Sequence, residues 1–298
     1  MRIAMMNNKL KLLLFIILGL AALSLAVYAI PSSQNETESF DGARAYKDIK
    51  TQLAFGPRIP GTEAHQVTVN WIIESMKKSG WEVDTQEIQV NDITIKNIIA
   101  KKGMGEPWII LGSHYDTRQF ADRDKSADGK LQPVMGANDG ASSTAVLLEL
   151  ARIIPEKING QVWLVFFDAE DISGDEIALG SQQFVNSLEG KPDSVVILDM
   201  VGDSGLNIPM EKNSNPELMN EIWEVASDLG YTQFIPAYKY GILDDHIPFV
   251  RAGIRAVDII DFDYPYWHTT QDTLDKVSAE SLTVVGQTIF EWLNKYIR

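Results

Sequence analysis

The chain has 298 residues, of which 45% are hydrophobic and 22% charged. That balance is typical of a folded globular protein and unlike a disordered, collagen-like or coiled-coil chain. Its 41 acidic residues outnumber its 26 Lys and Arg residues, for a net charge of −15, which argues against nucleic acid as a partner. The sequence contains no cysteine, so a metal site can only use carboxylates and the four histidines.

The N-terminus has the pattern of a targeting segment. Residues 12–30 form an uncharged apolar run of 19 residues, preceded by three basic residues and no acidic one. This length can span a bilayer, which favours a retained signal anchor, although small residues at 27 and 29 also fit a signal peptide cleaved near Ala29. The basic flank should stay in the cytoplasm, so we predict that the remainder is extracytoplasmic, either membrane-anchored or secreted.

Beyond this segment, residues 31–40 indicate a polar linker and residues 41–298 one folded domain. Residues 1–30 hold three basic and no acidic side chains, so without them the net charge becomes −18. Helical spacing of apolar residues over about 42–53 and 63–79 is followed by a strand pair within 81–103.

Four short apolar runs then alternate with amphipathic helices. Such runs are typical of strands buried on both faces, with the helices as crossovers. We therefore expect an α/β fold, a single-domain three-layer α/β/α arrangement around a mostly parallel mixed sheet. The predicted strands are 108–111, 162–167, 195–198 and 256–260, and the predicted helices are 141–154, 181–188, 216–229 and 279–296.

Ionisable residues follow each buried run, where the carboxyl ends of the strands form a ligand crevice. They are His114 and Asp116, then Asp168, Glu170 and Asp171, then Asp199, and finally Asp258, Asp261 and His268. No Lys or Arg stands among these strand ends, so we expect a divalent metal to neutralise the carboxylates. Imidazoles and carboxylates are ligands that zinc accepts in catalytic sites. Glu170, next to the candidate ligand Asp171, is a candidate general base.

Each of these residues also has a structural interpretation when taken singly. His114 could be a hydrogen-bonded core histidine, and Asp139 could cap the helix that follows it. Asp116, two residues after His114, is a candidate to orient the imidazole. His65 lies outside the strand-end pattern and is predicted to be a surface residue of its helix.

In this order, the residues resemble metallopeptidase family M28, the zinc aminopeptidases, and the related animal-type glutaminyl cyclases. The resemblance runs from about residue 45 to 296, which implies that residues 41–298 are a zinc-dependent catalytic domain. Its motifs are Ser113-His-Tyr-Asp116, Gly136-Ala-Asn-Asp139-Gly-Ala-Ser142, Phe167-Asp-Ala-Glu170-Asp171, Leu198-Asp199, Asp244-Asp-His246-Ile-Pro-Phe249 and Trp267-His268-Thr269.

The resemblance to the peptidases implies a role for each matched residue. His114 and Asp199 would bind one zinc, Asp171 and His268 a second, with Asp139 bridging and Glu170 as the general base. Asp171 stands where these families usually have Glu, so its shorter side chain must still reach the metal.

The two families imply different chemistry on peptide N-termini. An aminopeptidase uses two zinc ions and water to hydrolyse the first peptide bond, whereas a cyclase uses one zinc to convert N-terminal Gln to pyroglutamate. Asp244 would match an acidic proton-network residue of the cyclases and Trp267 their aromatic wall, with His246 supporting the loop. Gly140 and Asp258, however, stand where cyclases have Ser and His.

We therefore favour an aminopeptidase, with a glutaminyl cyclase as the alternative. A third hypothesis is a catalytically inactive, membrane-anchored binding protein of the same fold. The retention of Glu170 argues against it.

Overall fold

A computed structural model describes residues 39–90, 93–172 and 178–298. The targeting segment predicted at residues 12–30 lies outside these ranges. Within them, no helix combines the length and the apolar character needed to cross a bilayer. Residues Phe40–Arg298 form one compact unit.

The centre of this unit is a six-stranded mixed sheet with the order β1-β2-β4-β3-β5-β8. Strands β3, β4, β5 and β8 are mutually parallel, while β1 and β2 form an antiparallel hairpin that adds antiparallel to β4. A separate parallel pair, β6 and β7, was not predicted. The strands are β1 Glu82–Val90, β2 Ile93–Gly103, β3 Trp108–His114, β4 Gln161–Phe167, β5 Ser194–Asp199, β6 Ile208–Met210, β7 Phe234–Tyr238 and β8 Ala256–Ile260.

Helices cover both faces of the sheet, as the alternation of apolar runs and helical segments predicted. The short helix α6 was not expected from the sequence. The helices are α1 Gly42–Phe55, α2 Glu63–Lys78, α3 Ala141–Ile153, α4 Leu179–Asn186, α5 Pro216–Asp228, α6 His246–Arg251 and α7 Ala279–Ile297.

Two apolar cores flank the sheet because successive side chains of a strand point to opposite faces. In β3, Ile109 and Leu111 contribute to a core with α1, α2, α3, α5 and α7, whereas Ile110 contributes to a core with α4 and α6. All three side chains are buried. The α/β class with a mixed central sheet is thus confirmed, and both faces of its parallel strands are covered.

Local sequence also explains where helices begin. The side chain of Thr62 accepts a hydrogen bond from the backbone N–H of His65 at the start of α2, and Asn215 does the same for Leu218 ahead of Pro216 in α5. Helix α3 differs, because Gly140 precedes it with φ +85° and gives no side-chain cap. Asp139 therefore does not cap this helix, which leaves its carboxylate available to the crevice.

Candidate metal centre

The sheet brings distant residues together at the carboxyl ends of its parallel strands. His114 ends β3 and Asp199 ends β5, while Asp171 follows β4 by four residues. Asp139 comes from the loop before α3 and His268 from the loop after β8. Their ligand atoms form two buried groups, His114 with Asp139 and Asp199, and Asp139 with Asp171 and His268.

The distances within these groups suit zinc. His114 Nε2 lies 3.1 Å from Asp199 Oδ1 and 3.2 Å from Asp139 Oδ1. His268 Nε2 lies 3.2 Å from Asp171 Oδ1 and 3.7 Å from Asp139 Oδ2. Ligands about 2.1 Å from a tetrahedral ion are themselves about 3.4 Å apart. Asp171 therefore reaches this group despite being a methylene shorter than Glu.

Unpartnered oxygens in both groups support the same interpretation. Asp139 Oδ2 and Asp171 Oδ2 are buried and have no hydrogen-bond partner among the described residues. A buried carboxylate oxygen without a donor is costly unless a cation neutralises it. The residues present thus fit a zinc site in which Asp139 has one oxygen facing each group.

Burial and charge shift the pKa values of this cluster. Burial lowers the pKa of His114, but Asp116, Asp139 and Asp199 outweigh it and hold that pKa well above the ordinary value. Burial raises the pKa of Asp199 to about 7, with Asp139 adding to the rise against the opposing effect of His114. Without metal, the cluster therefore holds protons near neutral pH.

Glu170 lies beside the two groups without belonging to either. Its side chain is partly exposed and lines the same cavity as Asp171 and Asp199. Burial raises the pKa of Glu170 well above its usual value, the charge of Asp244 raises it further, and His114 opposes the shift. A carboxylate with a raised pKa is a suitable acceptor and donor of protons near neutral pH.

Strained backbone marks this part of the chain. Ala169, Met200 and His268 have φ values of +60°, +48° and +56°, a region that non-glycine residues rarely occupy. The first precedes Glu170, the second follows Asp199 and the third is itself a candidate ligand. Tertiary contacts must impose these conformations, a pattern common at functional sites.

Asp116 is buried and contacts both sides of the site. Its Oδ1 lies 3.5 Å from His114 Nδ1, on the ring edge opposite Asp199. It also accepts hydrogen bonds from the backbone N–H groups of Glu170, at 3.2 Å, and Asp171, at 3.1 Å. Its predicted contact with the imidazole is therefore joined by a second one that fixes the backbone carrying the candidate base.

The prediction that no Lys or Arg stands among the strand ends is wrong. Arg118, four residues after His114, lines the cavity, and its Nη1 lies 2.9 Å from Asp171 Oδ1 and its Nε 3.1 Å from Asp122 Oδ1. Burial raises the pKa of Asp171, but His268, His114 and Arg118 together lower it to about 2. The sequence signal was present, because Arg118 follows the first strand end within one loop.

A second arginine was also missed. Arg58 is fully buried and donates to the backbone carbonyls of Tyr115, Met135 and Gly136 at 2.9, 2.9 and 2.7 Å. It thereby joins the loop after β3 to the loop before α3. Burial lowers its pKa to about 10, against the effect of nearby carboxylates, so the guanidinium stays charged at neutral pH.

Asp272 positions Asp139 and was not identified from the sequence. It accepts hydrogen bonds from the backbone N–H groups of Asn138, at 2.9 Å, and Asp139, at 3.1 Å, and from the hydroxyl of Tyr264 at 2.7 Å. Burial raises its pKa to about 7, with the charge of Asp139 adding to the rise.

The prediction that His65 is a surface residue is also wrong. His65 is buried, its Nε2 lies 2.9 Å from Asp168 Oδ1, and its ring stacks on Tyr115. Asp168 also accepts a hydrogen bond from the backbone N–H of Lys96. Helix α2 packs against the β1-β2 hairpin. This non-local contact buries His65, which the helical periodicity of the sequence did not place on a buried face.

Of the remaining predicted site residues, two line the cavity and one lies behind it. Asp244 and Trp267 line the cavity, with the Trp267 ring 4.8 Å from that of Phe262. His246 does not line it, because it is buried between Glu211, 3.3 Å away, and Asp258, 3.6 Å away. The predicted role of His246 behind the loop is compatible with this position.

The cavity has a volume of about 340 Å³, enough for a small side chain or the end of a peptide. The candidate ligands Asp139, Asp171, Asp199 and His268 line it together with Glu170. These are the side-chain types that metal-assisted proton transfer at a bound polar group requires.

Comparisons with known proteins match the chain to one protein family and to several relatives. The chain matches the model of peptidase family M28 over residues 97–293. It is 24% identical over 290 residues to the glutaminyl-peptide cyclotransferase of Boiga irregularis, a match that covers 80% of this chain and 77% of that protein.

Two solved structures illustrate the range of its structural neighbours. The chain is similar to the glutaminyl cyclase of Porphyromonas gingivalis, with a TM-score of 0.82 and 31% identity over 86% of this chain and 98% of the other. It is equally similar to a leucine aminopeptidase precursor from Bacteroides thetaiotaomicron, with a TM-score of 0.82 and 32% identity over 86% and 97% of the two chains.

Proposed function

We propose that this chain, which belongs to peptidase family M28, is a zinc-dependent enzyme that acts on peptide N-termini as an aminopeptidase. The observation that carries this proposal is the pair of buried ligand groups that share Asp139, next to a carboxylate, Glu170, that belongs to neither. Two groups joined by one bridging carboxylate fit two metal ions.

In peptide hydrolysis, the bound zinc and Glu170 would have separate roles. Zinc held by the two groups would supply Lewis acidity at the substrate carbonyl and lower the pKa of water. Glu170 would accept a proton from the attacking water and deliver it to the departing amine. Asp244 is buried, lines the cavity and belongs to neither of these two groups, so its carboxylate would be available to the substrate's α-amino group.

Gly140 supports hydrolysis over cyclisation. A Cβ atom at this position would lie 2.8 Å from the carbonyl oxygen of Asp116 and 3.1 Å from His114 Cε1, and φ is +85°. Cyclases carry Ser at this position, beside the bridging-type Asp. The backbone of Gly140 does not accommodate a Ser side chain without movement. Asp258, which stands where cyclases have a His of their proton network, also favours hydrolysis.

A glutaminyl cyclase is the second candidate, and Asp244 favours it. This carboxylate is buried, lines the cavity, and raises the pKa of Glu170 through its charge. In a cyclase, Glu170 would take a proton from the peptide's own α-amine and pass it to the departing ammonia. The similarity to glutaminyl cyclases supports this candidate as well.

We also propose that residues 12–30 export the domain and either anchor it or are removed near Ala29. The apolar run and its basic flank support this proposal. The substrates would then be extracytoplasmic peptides or proteins with free N-termini. Labelling of the full chain in intact cells with a membrane-impermeant lysine reagent would test the location, because such a reagent reaches the domain only if it lies outside the cytoplasm.

One assay separates the two activities. Residues 31–298 would be treated with chelator, restored with zinc, and given aminoacyl chromogenic amides and a peptide with N-terminal Gln. Free amino acid with released amine indicates a peptidase, whereas ammonia with a blocked N-terminus indicates a cyclase. Two bound zinc equivalents agree with hydrolysis and one with cyclisation, and the absence of both products would refute both candidates.

A further inference from the structure

The mouth of the metal cavity carries a cationic residue that the proposed chemistry does not use. Arg123 lines the cavity, and its side chain is exposed, whereas Asp139, Asp171 and Asp199 of the same cavity are buried. The exposure of these residues places Arg123 at the outer end and the carboxylates at the floor. The exposed carboxylate of Asp122 also lines this outer end, where it pairs with Arg118 and not with Arg123.

Arg123 is held in a defined place. Its Cζ lies 4.0 Å from the centroid of the Trp267 ring, a distance that gives a cation–π contact. Its backbone N–H donates to the carbonyl oxygen of His268 at 3.1 Å, and the next residue, Asp124, accepts from the backbone N–H of Thr270 at 3.1 Å. These bonds join the loop of Arg123 to the loop that carries a candidate ligand.

The guanidinium of Arg123 is available to a ligand. Among the residues that the structure describes, it forms no ion pair with a carboxylate, whereas Arg118 is engaged by both Asp122 and Asp171. A guanidinium stacked on an aromatic face keeps its in-plane N–H groups free, and these match the two oxygens of a carboxylate. Stacking also reduces the side-chain entropy that such a contact would otherwise lose.

We propose that Arg123, supported by Trp267, recognises a carboxylate on the residue that follows the substrate's N-terminal residue. This inference rests on the proposed function, because it assumes that the substrate's N-terminal residue enters the floor of the cavity, beside the candidate metal ligands. The next residue then lies toward the rim, where Arg123 stands. The carboxylate has two sources, the side chain of a second-position Glu or Asp, or the free C-terminus of a dipeptide.

Four substrates with the same N-terminal residue separate these sources. They are the dipeptide amides X-Glu-NH2 and X-Gln-NH2, the free dipeptide X-Gln, and the tripeptide amide X-Gln-Gly-NH2, where X is the N-terminal residue that the enzyme turns over fastest. With full-length zinc-loaded protein, we expect kcat/KM for X-Glu-NH2 to exceed that for X-Gln-NH2 by about fivefold, the upper range for an exposed ion pair. The preference should appear in KM and decrease as salt is raised.

The variant Arg123→Gln should abolish this preference by slowing X-Glu-NH2 more than X-Gln-NH2. The control is Arg298→Gln, because Arg298 also lies over an aromatic ring, 5.9 Å from the centroid of Phe290, but does not line the cavity. A preference for the free dipeptide X-Gln over X-Gln-NH2 that is lost in Arg123→Gln would assign the carboxylate to the C-terminus. Equal rates for acidic and amide substrates in the wild type would overturn the proposal.

Binding measurements keep this test separate from the proposed function. If no peptide is turned over, the proposed function fails, and calorimetric titration of the same four peptides into wild type and Arg123→Gln decides the inference. Tighter binding of the acidic peptide to the wild type, lost in the variant, supports it. Equal binding of acidic and amide peptides to the wild type refutes it.

Discussion

The substitution Glu170→Gln tests whether the candidate base is separate from the metal ligands. Glu170 belongs to neither ligand group, and its backbone N–H is held by Asp116. The substitution preserves the shape of the side chain and removes its capacity to accept a proton. We therefore expect zinc content to stay at the wild-type level while turnover falls.

The size of the effect follows from the role assigned to this carboxylate. General acid–base catalysis contributes about 10²- to 10⁴-fold, so kcat should decrease by that factor, equivalent to about 3–5 kcal/mol of activation free energy. Burial raises the pKa of Glu170 well above its usual value, so the wild type should lose activity as the pH falls through that raised pKa. The variant should lack this acidic limb of the pH–rate profile.

The assay combines zinc analysis with steady-state kinetics on the substrate that the wild type turns over. Glu224→Gln is the matched control, because Glu224 is exposed on α5 and does not line the metal cavity. A Glu170→Gln protein with full zinc content and a rate within a few fold of the wild type would remove Glu170 from the chemistry. Loss of zinc would instead show that Glu170 is a ligand.

Three further outcomes follow from the site's charges and backbone. Arg118→Gln should tighten zinc binding at the group that contains Asp171 by a few fold, since it removes a cation beside the metal. Competition with a chelator measures the zinc affinity, and weaker binding in the variant would contradict the prediction. Gly140→Ser should lower the free energy of unfolding by about 1–3 kcal/mol, because φ is +85° and ψ is −40°, a backbone conformation that non-glycine residues rarely adopt. An unchanged urea midpoint would show that the backbone adjusts. Asp199 and His114 have higher pKa values in the folded protein than in the unfolded chain. Proton binding by these two groups therefore stabilises the metal-free protein, fully below their unfolded pKa values, and this stabilisation is lost as the pH rises through their folded pKa values. The melting temperature of metal-free protein should therefore fall from pH 5 to 8, and zinc should reverse the fall; a constant value would refute the coupling.

Much of the fold and the candidate ligand set could be predicted from the sequence. The four apolar runs correspond to β3, β4, β5 and β8 within a few residues, because a strand buried on both faces must be almost continuously apolar. The polar residues that end those runs lie at the same edge of the sheet, since parallel strands share a carboxyl end. His114, Asp171 and Asp199 were therefore placed correctly relative to one another before any tertiary contact was known.

Residues that act through long-range contacts were not predictable in the same way. His65 looked exposed on its helix, and only the packing of α2 against the β1-β2 hairpin places it beside Asp168. Arg58 lies between the first two predicted helices, outside any predicted element, yet it donates to three carbonyls around the site. Arg118 was visible in the sequence, but its contact with Asp171 depends on how two loops meet.

The amino-acid sequence alone thus determined which residues end the buried strands, because hydrophobic periodicity and strand direction are local properties. It also determined that any metal ligands must be imidazoles and carboxylates, since there is no cysteine. The tertiary structure decided which cations and hydrogen-bond donors surround those ligands, and it imposed the positive φ of Ala169, Met200 and His268. These features depend on loops that are distant in sequence, and only the packed chain determines which of them come into contact.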